Sequence, residues 1–199
     1  MKSLFLRAIG LLSGLALLTA CGADKRPNVI LETQKGLIEI EVHEDSAPIS
    51  ARDFLYYVDE GLYDGQGFYR AVRPENDPLK MGMSILQGGR LDLLPVTPDV
   101  DHETQTGLSN IAGTVSLARD RPGTGSAAYF FINTADNPFL DFGGKRNPDG
   151  QGYASFGTVV KGMEVVRAIQ SGATVPQSDD SVRAQFLVKP VIIHKAYRK

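Results

Sequence analysis

The sequence predicts a closed or nearly closed antiparallel β-barrel with helices over its open ends. Three observations carry that expectation: many short segments of alternating apolar residues, turn residues between them, and only two stretches with helical periodicity. The body of the chain opens as a hairpin, because Val29 and Leu31 alternate with polar neighbours, Gln34-Lys35-Gly36 makes a turn, and Ile38, Ile40 and Val42 repeat every second residue. Asp45 and Ser46 then offer capping oxygens and Pro48 fits a first helical turn. Ala51, Phe54, Leu55 and Val58 recur at helical spacing as far as Gly61, so a helix is predicted from about Pro48 to Glu60. Short strands are predicted at Phe68 to Val72, Ser84 to Gln87, Gly113 to Leu117, Tyr129 to Asn133 and Phe156 to Val159. Met163, Val166 and Ile169 mark a second helix, and Val191-Ile192-Ile193 a closing strand. Two stretches fit neither period: Arg73 to Met83, and Arg90 to Leu108 with Pro95, Pro98 and several acids. Both read as long surface loops, and loops of that length are often functional. The sequence has no internal repeat and no sign of a second domain.

The first residues set the compartment. Lys2 and Arg7 supply a positive start, Ala8 to Ala20 is almost wholly apolar, and Leu18-Thr19-Ala20-Cys21 ends the segment on small residues before the only cysteine. The apolar run is shorter than the roughly 20 residues a bilayer span needs, so residues 1–20 read as a signal peptide. The Leu-Thr-Ala-Cys ending resembles the bacterial lipobox, which implies that Cys21 is lipidated, palmitate among its acyl chains, and becomes the first residue of the mature chain. Residues 21–27 then form a short tether, which at about 3.3–3.6 Å per extended residue reaches roughly 20 Å and keeps the folded part near the membrane. Gly22, rather than an aspartate, follows the cysteine. If the cell is Gram-negative, resemblance to sorted lipoproteins implies the periplasmic face of the outer membrane. With its one thiol used in the anchor the exported chain has no disulfide, and residues 28–199, part of the roughly 180 that follow the leader, must form one domain on its own core. The net charge of −2 gives no footprint for nucleic acid.

From Phe68 to Tyr153 the chain spaces out Phe68-Tyr69-Arg70, Gln87-Gly88-Gly89, Tyr129-Phe130-Phe131-Ile132-Asn133 and Phe139-Leu140. One arginine, one glutamine and several rings suit a reaction without a nucleophile. Rotation about the bond preceding proline is such a reaction: it needs a shaped apolar pocket and well-aimed hydrogen bonds against a barrier of about 18–20 kcal/mol.

Together with Gly113-Thr114-Val115-Ser116-Leu117-Ala118, Phe139-Leu140-Asp141 and Phe156-Gly157, these blocks resemble cyclophilin-type peptidyl-prolyl cis-trans isomerases in order and in type, the bacterial variants most of all, from about Asn28 to the C-terminus. The resemblance implies a mainly β fold, an eight-stranded antiparallel barrel capped by two α-helices, with the peptide in a groove on its outer surface. It implies catalytic roles for Arg70, aimed at the prolyl nitrogen and carbonyl, and for Gln87, which orients the arginine. It implies Phe131 as the floor of the proline pocket, although strand alternation alone lets only one of Phe130 and Phe131 face outward and does not say which. Leu140 becomes its wall, and Ala118 a groove residue whose backbone pairs with peptide. Phe139, where some members have tryptophan, and Tyr153, where many have histidine, complete the binding set with Ile85 and Tyr129. Three departures stand out. Ser84 and Ile85 replace a phenylalanine and a methionine that wall the pocket, Tyr129 replaces a glutamine, and Arg119-Asp120 replaces a small polar pair. The interval from Arg70 to Gln87 is lengthened by Asn76 to Met83. Fewer apolar walls imply weaker proline burial, and either Met81 or Met83 is an alternative for the missing wall.

Other chemistries find less support. His43, His102 and His194 lack metal-ligand spacing, so neither metal nor cofactor is expected. Gly123-Thr124-Gly125-Ser126 lacks a nucleophile elbow and a phosphate loop and reads as a flexible turn, as does Asn147-Pro148-Asp149-Gly150. Two functions remain: an isomerase, expected to act as a monomer on proline-containing polypeptides that fold in the cell envelope, and a non-catalytic proline-peptide-binding chaperone or scaffold.

Overall fold

The computed structural model describes residues 26–92, 97–176 and 182–199, so the leader and the lipidation at Cys21 expected from the sequence fall outside the described residues. Eleven regular elements follow in order: β1 (Asn28–Thr33), β2 (Gly36–Val42), α1 (Pro48–Asp59), β3 (Gly67–Val72), β4 (Ile85–Gly89), β5 (Val100–Asp101), β6 (Thr114–Ala118), β7 (Thr124–Asn133), β8 (Ser155–Lys161), α2 (Met163–Gln170) and β9 (Phe186–Arg198). The sheet runs β4-β3-β9-β1-β2-β8-β6-β7, and β7 pairs back onto β4. All of these pairings are antiparallel. The eight-stranded barrel expected from the sequence is therefore closed, which leaves it no edge. β5 is an extra strand of two residues laid on the start of β7, with Val100 opposite Gly125.

Alternation fills the barrel. Phe54, Tyr57, Tyr63, Phe68, Phe130 and Phe156 are fully buried, and Phe130 meets Phe54, Tyr63 and Phe68 edge-on at 5.5, 5.3 and 5.9 Å between ring centroids, the geometry that ring quadrupoles favour. α1 packs against β5, β7, β8 and β9, and α2 against β2, β3 and β4, so each helix covers its own part of the barrel. Pro48 sits in the first turn of α1, where its missing N–H costs nothing.

Three local expectations change. Thr124 to Ser126 begin β7 instead of forming a flexible turn, and only Gly123 stays in the turn. The closing strand is not three residues but Phe186–Arg198, because β9 is inserted between β1 and β3. The 73–83 segment is ordered around a 3-10 turn at Pro74–Asn76 and the buried carboxylate of Asp77. Asn147 to Gly150 is a turn as expected, closed by Gly150 N donating to Asn147 O at 3.1 Å. Among the described residues no helix is long and apolar enough to cross a membrane.

Candidate active site

The outer faces of β3, β4, β6 and β7 carry a groove of about 380 Å³, within the range of small-ligand pockets. It collects residues that are far apart in sequence. Arg70, Ile85, Gln87, Ala118, Tyr129, Phe131, Leu140 and Tyr153 all line it. Phe139 does not: it is half-buried and packs from behind against the apolar cluster of Val72, Met83, Ile85, Phe131 and Leu140.

The apolar end is built by strand register. Phe130 enters the core and Phe131 turns outward, where its ring meets the edge of Tyr153 at 5.5 Å. Ile85 comes from the start of β4, and Leu140 from the 3-10 turn at Pro138–Leu140. That turn is held by a buried amide network: Asn137 Nδ2 donates to Asn133 Oδ1 at 2.8 Å, and Leu140 N donates to Asn137 O at 2.9 Å. Buried amides bonded at both ends fix one arrangement.

The wall that Ser84 leaves unfilled is supplied by Met83, which is buried and lines the groove. Met81 does not line it, which settles the choice between the two methionines. Ser84 lies behind that wall, where its hydroxyl is 2.8 Å from Thr134 Oγ1 and accepts from Gln170 Nε2 at 3.0 Å. Gln170 Nε2 also donates to Val72 O at 2.8 Å, so the end of α2 is fastened to β3 there. The apolar end of the groove therefore has a wall at the place Ser84 leaves open.

At the polar end, Arg70 Nη1 donates to Gln87 Oε1 at 2.7 Å, and Gln87 Nε2 donates to Tyr69 Oη at 3.0 Å. Both ends of the Gln87 amide are thus committed. Tyr69 stacks on Phe186 at 5.9 Å, and burial pushes its hydroxyl up to about 12, so it stays protonated. The two glycines after Gln87 are required by space. A Cβ at Gly88 would lie 2.6 Å from the Phe68 ring, and one at Gly89, whose φ is +124°, would lie 2.1 Å from Ala128 O.

Of the charged residues beyond the pocket, sequence reasoning singled out Arg119 and Asp120 as a departure from the family but not Asp99, Arg121 or Arg146. Arg119, Arg121, Arg146, Asp99 and Asp120 also line the groove, and Arg119 lies over the Tyr153 ring at 5.2 Å. His102 Nε2 accepts from Ala154 N at 2.9 Å beside Tyr153. Burial, with the Arg119 charge, lowers its imidazole to about 4 and keeps it neutral. Among the described residues no three His, Cys, Asp or Glu side chains come together as a metal site.

Comparison with known proteins places this arrangement. The family model for cyclophilin type peptidyl-prolyl cis-trans isomerases matches residues 28–198. The chain belongs to the cyclophilin-type peptidyl-prolyl cis-trans isomerases. It is 35% identical over 198 residues to peptidyl-prolyl cis-trans isomerase A of Dickeya dadantii, covering 98% of this chain and 96% of that protein. It is also 35% identical over 149 residues to peptidyl-prolyl cis-trans isomerase B of Escherichia coli, covering 73% and 85%. In fold it resembles the crystal structure of a cyclophilin type isomerase from Cryptosporidium parvum, at a TM-score of 0.68 and 19% identity, over 87% of this chain and 98% of that one. The chain is accordingly an isomerase, and its barrel with two helices is the cyclophilin fold.

Proposed function

We propose that this cyclophilin turns X-Pro bonds in polypeptides folding in the bacterial cell envelope, with the groove as its active site and Cys21 as a lipid anchor. The observation that carries the site is the join of a buried apolar pocket to a fixed guanidinium: Phe131, Leu140, Ile85 and Met83 on one side, and Arg70 held at 2.7 Å by Gln87 on the other. The pocket takes the proline ring, and burial of a side chain of that size contributes about 1.5–3 kcal/mol to binding. Arg70 faces the prolyl amide. As the amide twists, its nitrogen loses conjugation and gains a lone pair that accepts a hydrogen bond, so the arginine binds the twisted state more strongly than either planar state. Gln87 keeps the guanidinium in place, and the backbone of Ala118 offers the extended peptide a pairing partner, with Tyr129 and Tyr153 at the sides.

The test is the cis-to-trans rate of short X-Pro peptides with the purified protein beside its Arg70→Ala variant. The expected loss in kcat/KM is about 10²–10³-fold, the scale for removing one donor aimed at a transition state. An Arg70→Ala variant as fast as the parent would overturn the assignment.

Anchoring is tested separately. Cys21→Ser should move the protein from the membrane fraction to the soluble envelope fraction, and a variant that stays tightly membrane-bound would refute the anchor. The described chain enters the barrel at β1, and β1 and β2 lie across it from β4 and β7. This supports a groove that points away from the bilayer.

A further inference from the structure

Four arginines line the groove, and three of them are neutralised by a carboxylate. Arg119 pairs with Asp149 at 2.8 Å, Arg121 with Asp99 at 2.9 Å and Arg146 with Asp77 at 2.8 Å. Arg70 alone among them has no carboxylate partner among the described residues. Its second support is a glutamine from the other end of the chain: Arg70 Nε and Nη2 both donate to Gln185 Oε1, at 2.9 and 2.6 Å.

Gln185 is fully buried in the 3-10 turn at Arg183–Gln185, just before β9. Its own amide is fixed, because Nε2 donates to Asn76 O at 2.9 Å. The guanidinium is therefore gripped on two edges, by Gln87 at Nη1 and by Gln185 at Nε and Nη2, and both grips are neutral amides.

We propose that Gln185 is a positioning residue for the isomerisation, holding Arg70 by an uncharged clamp so that its full positive charge stays available to the prolyl amide. The proposal rests on the reading of Arg70 as the catalytic group. A carboxylate in the same place would hold the arginine at least as firmly. It would also answer the charge locally and weaken the pull on the prolyl nitrogen, where the transition state needs it. Burial without a counter-ion costs the guanidinium some basicity, and Arg70 does lie below the usual arginine range, chiefly through desolvation.

The experiment compares Gln185→Met and Gln185→Glu with the parent and with Arg70→Ala, measuring kcat and KM for an X-Pro peptide and the unfolding midpoint of each. Both Gln185 variants lose the bond to Asn76 O, and Gln185→Glu also sets a carboxylate oxygen against that carbonyl, so the unfolding midpoint and KM are read beside kcat to separate an effect on the fold from one on Arg70. Gln185→Met should lower kcat about tenfold with KM changed by less than about threefold, the scale of a slightly misplaced catalytic group. Gln185→Glu should stay folded and lower kcat by about 10²-fold or more, below the methionine variant, because the arginine is held but its charge is answered. Both variants matching the parent would overturn the positioning role. Gln185→Glu more active than Gln185→Met would overturn the need for a neutral clamp. A parent-like Arg70→Ala would instead bring down the underlying assignment, whatever the Gln185 variants do.

Discussion

Asp77 holds the segment that brings Met83 to the groove. Its carboxylate is fully buried and accepts from Leu79 N at 3.3 Å, Met81 N at 2.9 Å, Met83 N at 3.2 Å and Arg146 Nη1 at 2.8 Å. Replacement by alanine strands these donors unequally. Leu79 and Lys80 are exposed, so water can reach the Leu79 N–H, whereas Met83 is buried and its N–H is left without a partner, at a cost of about 1–3 kcal/mol. Arg146 lines the groove and keeps some solvent contact, which places the loss near the lower end of the roughly 3–5 kcal/mol for breaking a buried ion pair from one side. We therefore expect Asp77→Ala to destabilise the protein by about 4–6 kcal/mol, or to lower Tm by roughly 8–24 °C for a chain of this size. KM for proline peptides should rise about tenfold as the methionine wall loosens, since tenfold corresponds to about 1.4 kcal/mol. Urea unfolding and steady-state isomerisation measure the two effects. Parent-like stability together with parent-like KM would refute the role given to this carboxylate. The pH dependence follows from the same contacts. Burial favours the neutral acid, but the N–H donors and Arg146 outweigh it and hold the carboxyl below its usual range. The folded pKa is then lower than the unfolded one, so this stabilisation is complete above about pH 4 and is lost as pH falls through the folded value.

Three other expectations can be checked with the same assays. Met83→Ala should raise KM several-fold, while Met81→Ala leaves it unchanged; equal effects would remove the distinction between the two methionines. Gly89→Ala, with φ at +124° and a Cβ 2.1 Å from Ala128 O, should cost about 3 kcal/mol or more. Gly82→Ala, at φ +80° with nothing within 4 Å, should cost only about 1–2 kcal/mol, and a Gly89→Ala protein as stable as the Gly82→Ala one would contradict the packing described at the β4–β7 seam. His102 has a folded pKa of about 4, below its unfolded value, so the unfolded chain binds the extra proton first and stability should fall as pH drops from about 6.5 towards 4. His102→Gln should flatten that slope, and an unchanged slope would assign it to another group.

The parts of the fold that were readable in the sequence are those where local pattern and tertiary demand agree. Pro48 and the spacing of Ala51, Phe54, Leu55 and Val58 bound α1 to within a residue, since the residues that pattern the helix also bury it; the capping expected from Asp45 and Ser46 is not made, because the N-cap is Ala47 and no side chain bonds the first turn. β9 was legible only at Val191-Ile192-Ile193, because Lys189, Pro190, His194 and Lys195 interrupt any alternation; pairing with β1 and β3 overrides them. The start of β7 was misread for a related reason: Gly125 and Ser126 carry turn propensity, yet Gly125 sits where His102 and the Ala118 carbonyl crowd in at 3.3 and 3.4 Å from its would-be Cβ. In the site, contiguous blocks exposed Arg70, Gln87 and Phe131, whereas Met83 depended on how an inserted loop folds back. Gln185 had no signal at all, being separated from Arg70 by 115 residues with nothing local to mark it.

The place of β9 in the barrel also sets a timetable. Its neighbours β1 and β3 are made early, yet they meet through a strand that is made last, and the turn before that strand brings Gln185 to Arg70. A chain emerging from its N-terminus can form the β1–β2 hairpin and α1 at once, but the cylinder cannot shut until β9 arrives. Such long-range closure slows folding relative to locally paired folds. Until then the growing chain has neither a finished barrel nor a braced arginine. Closing the barrel and bracing Arg70 are therefore one event, since the same strand and the turn before it accomplish both.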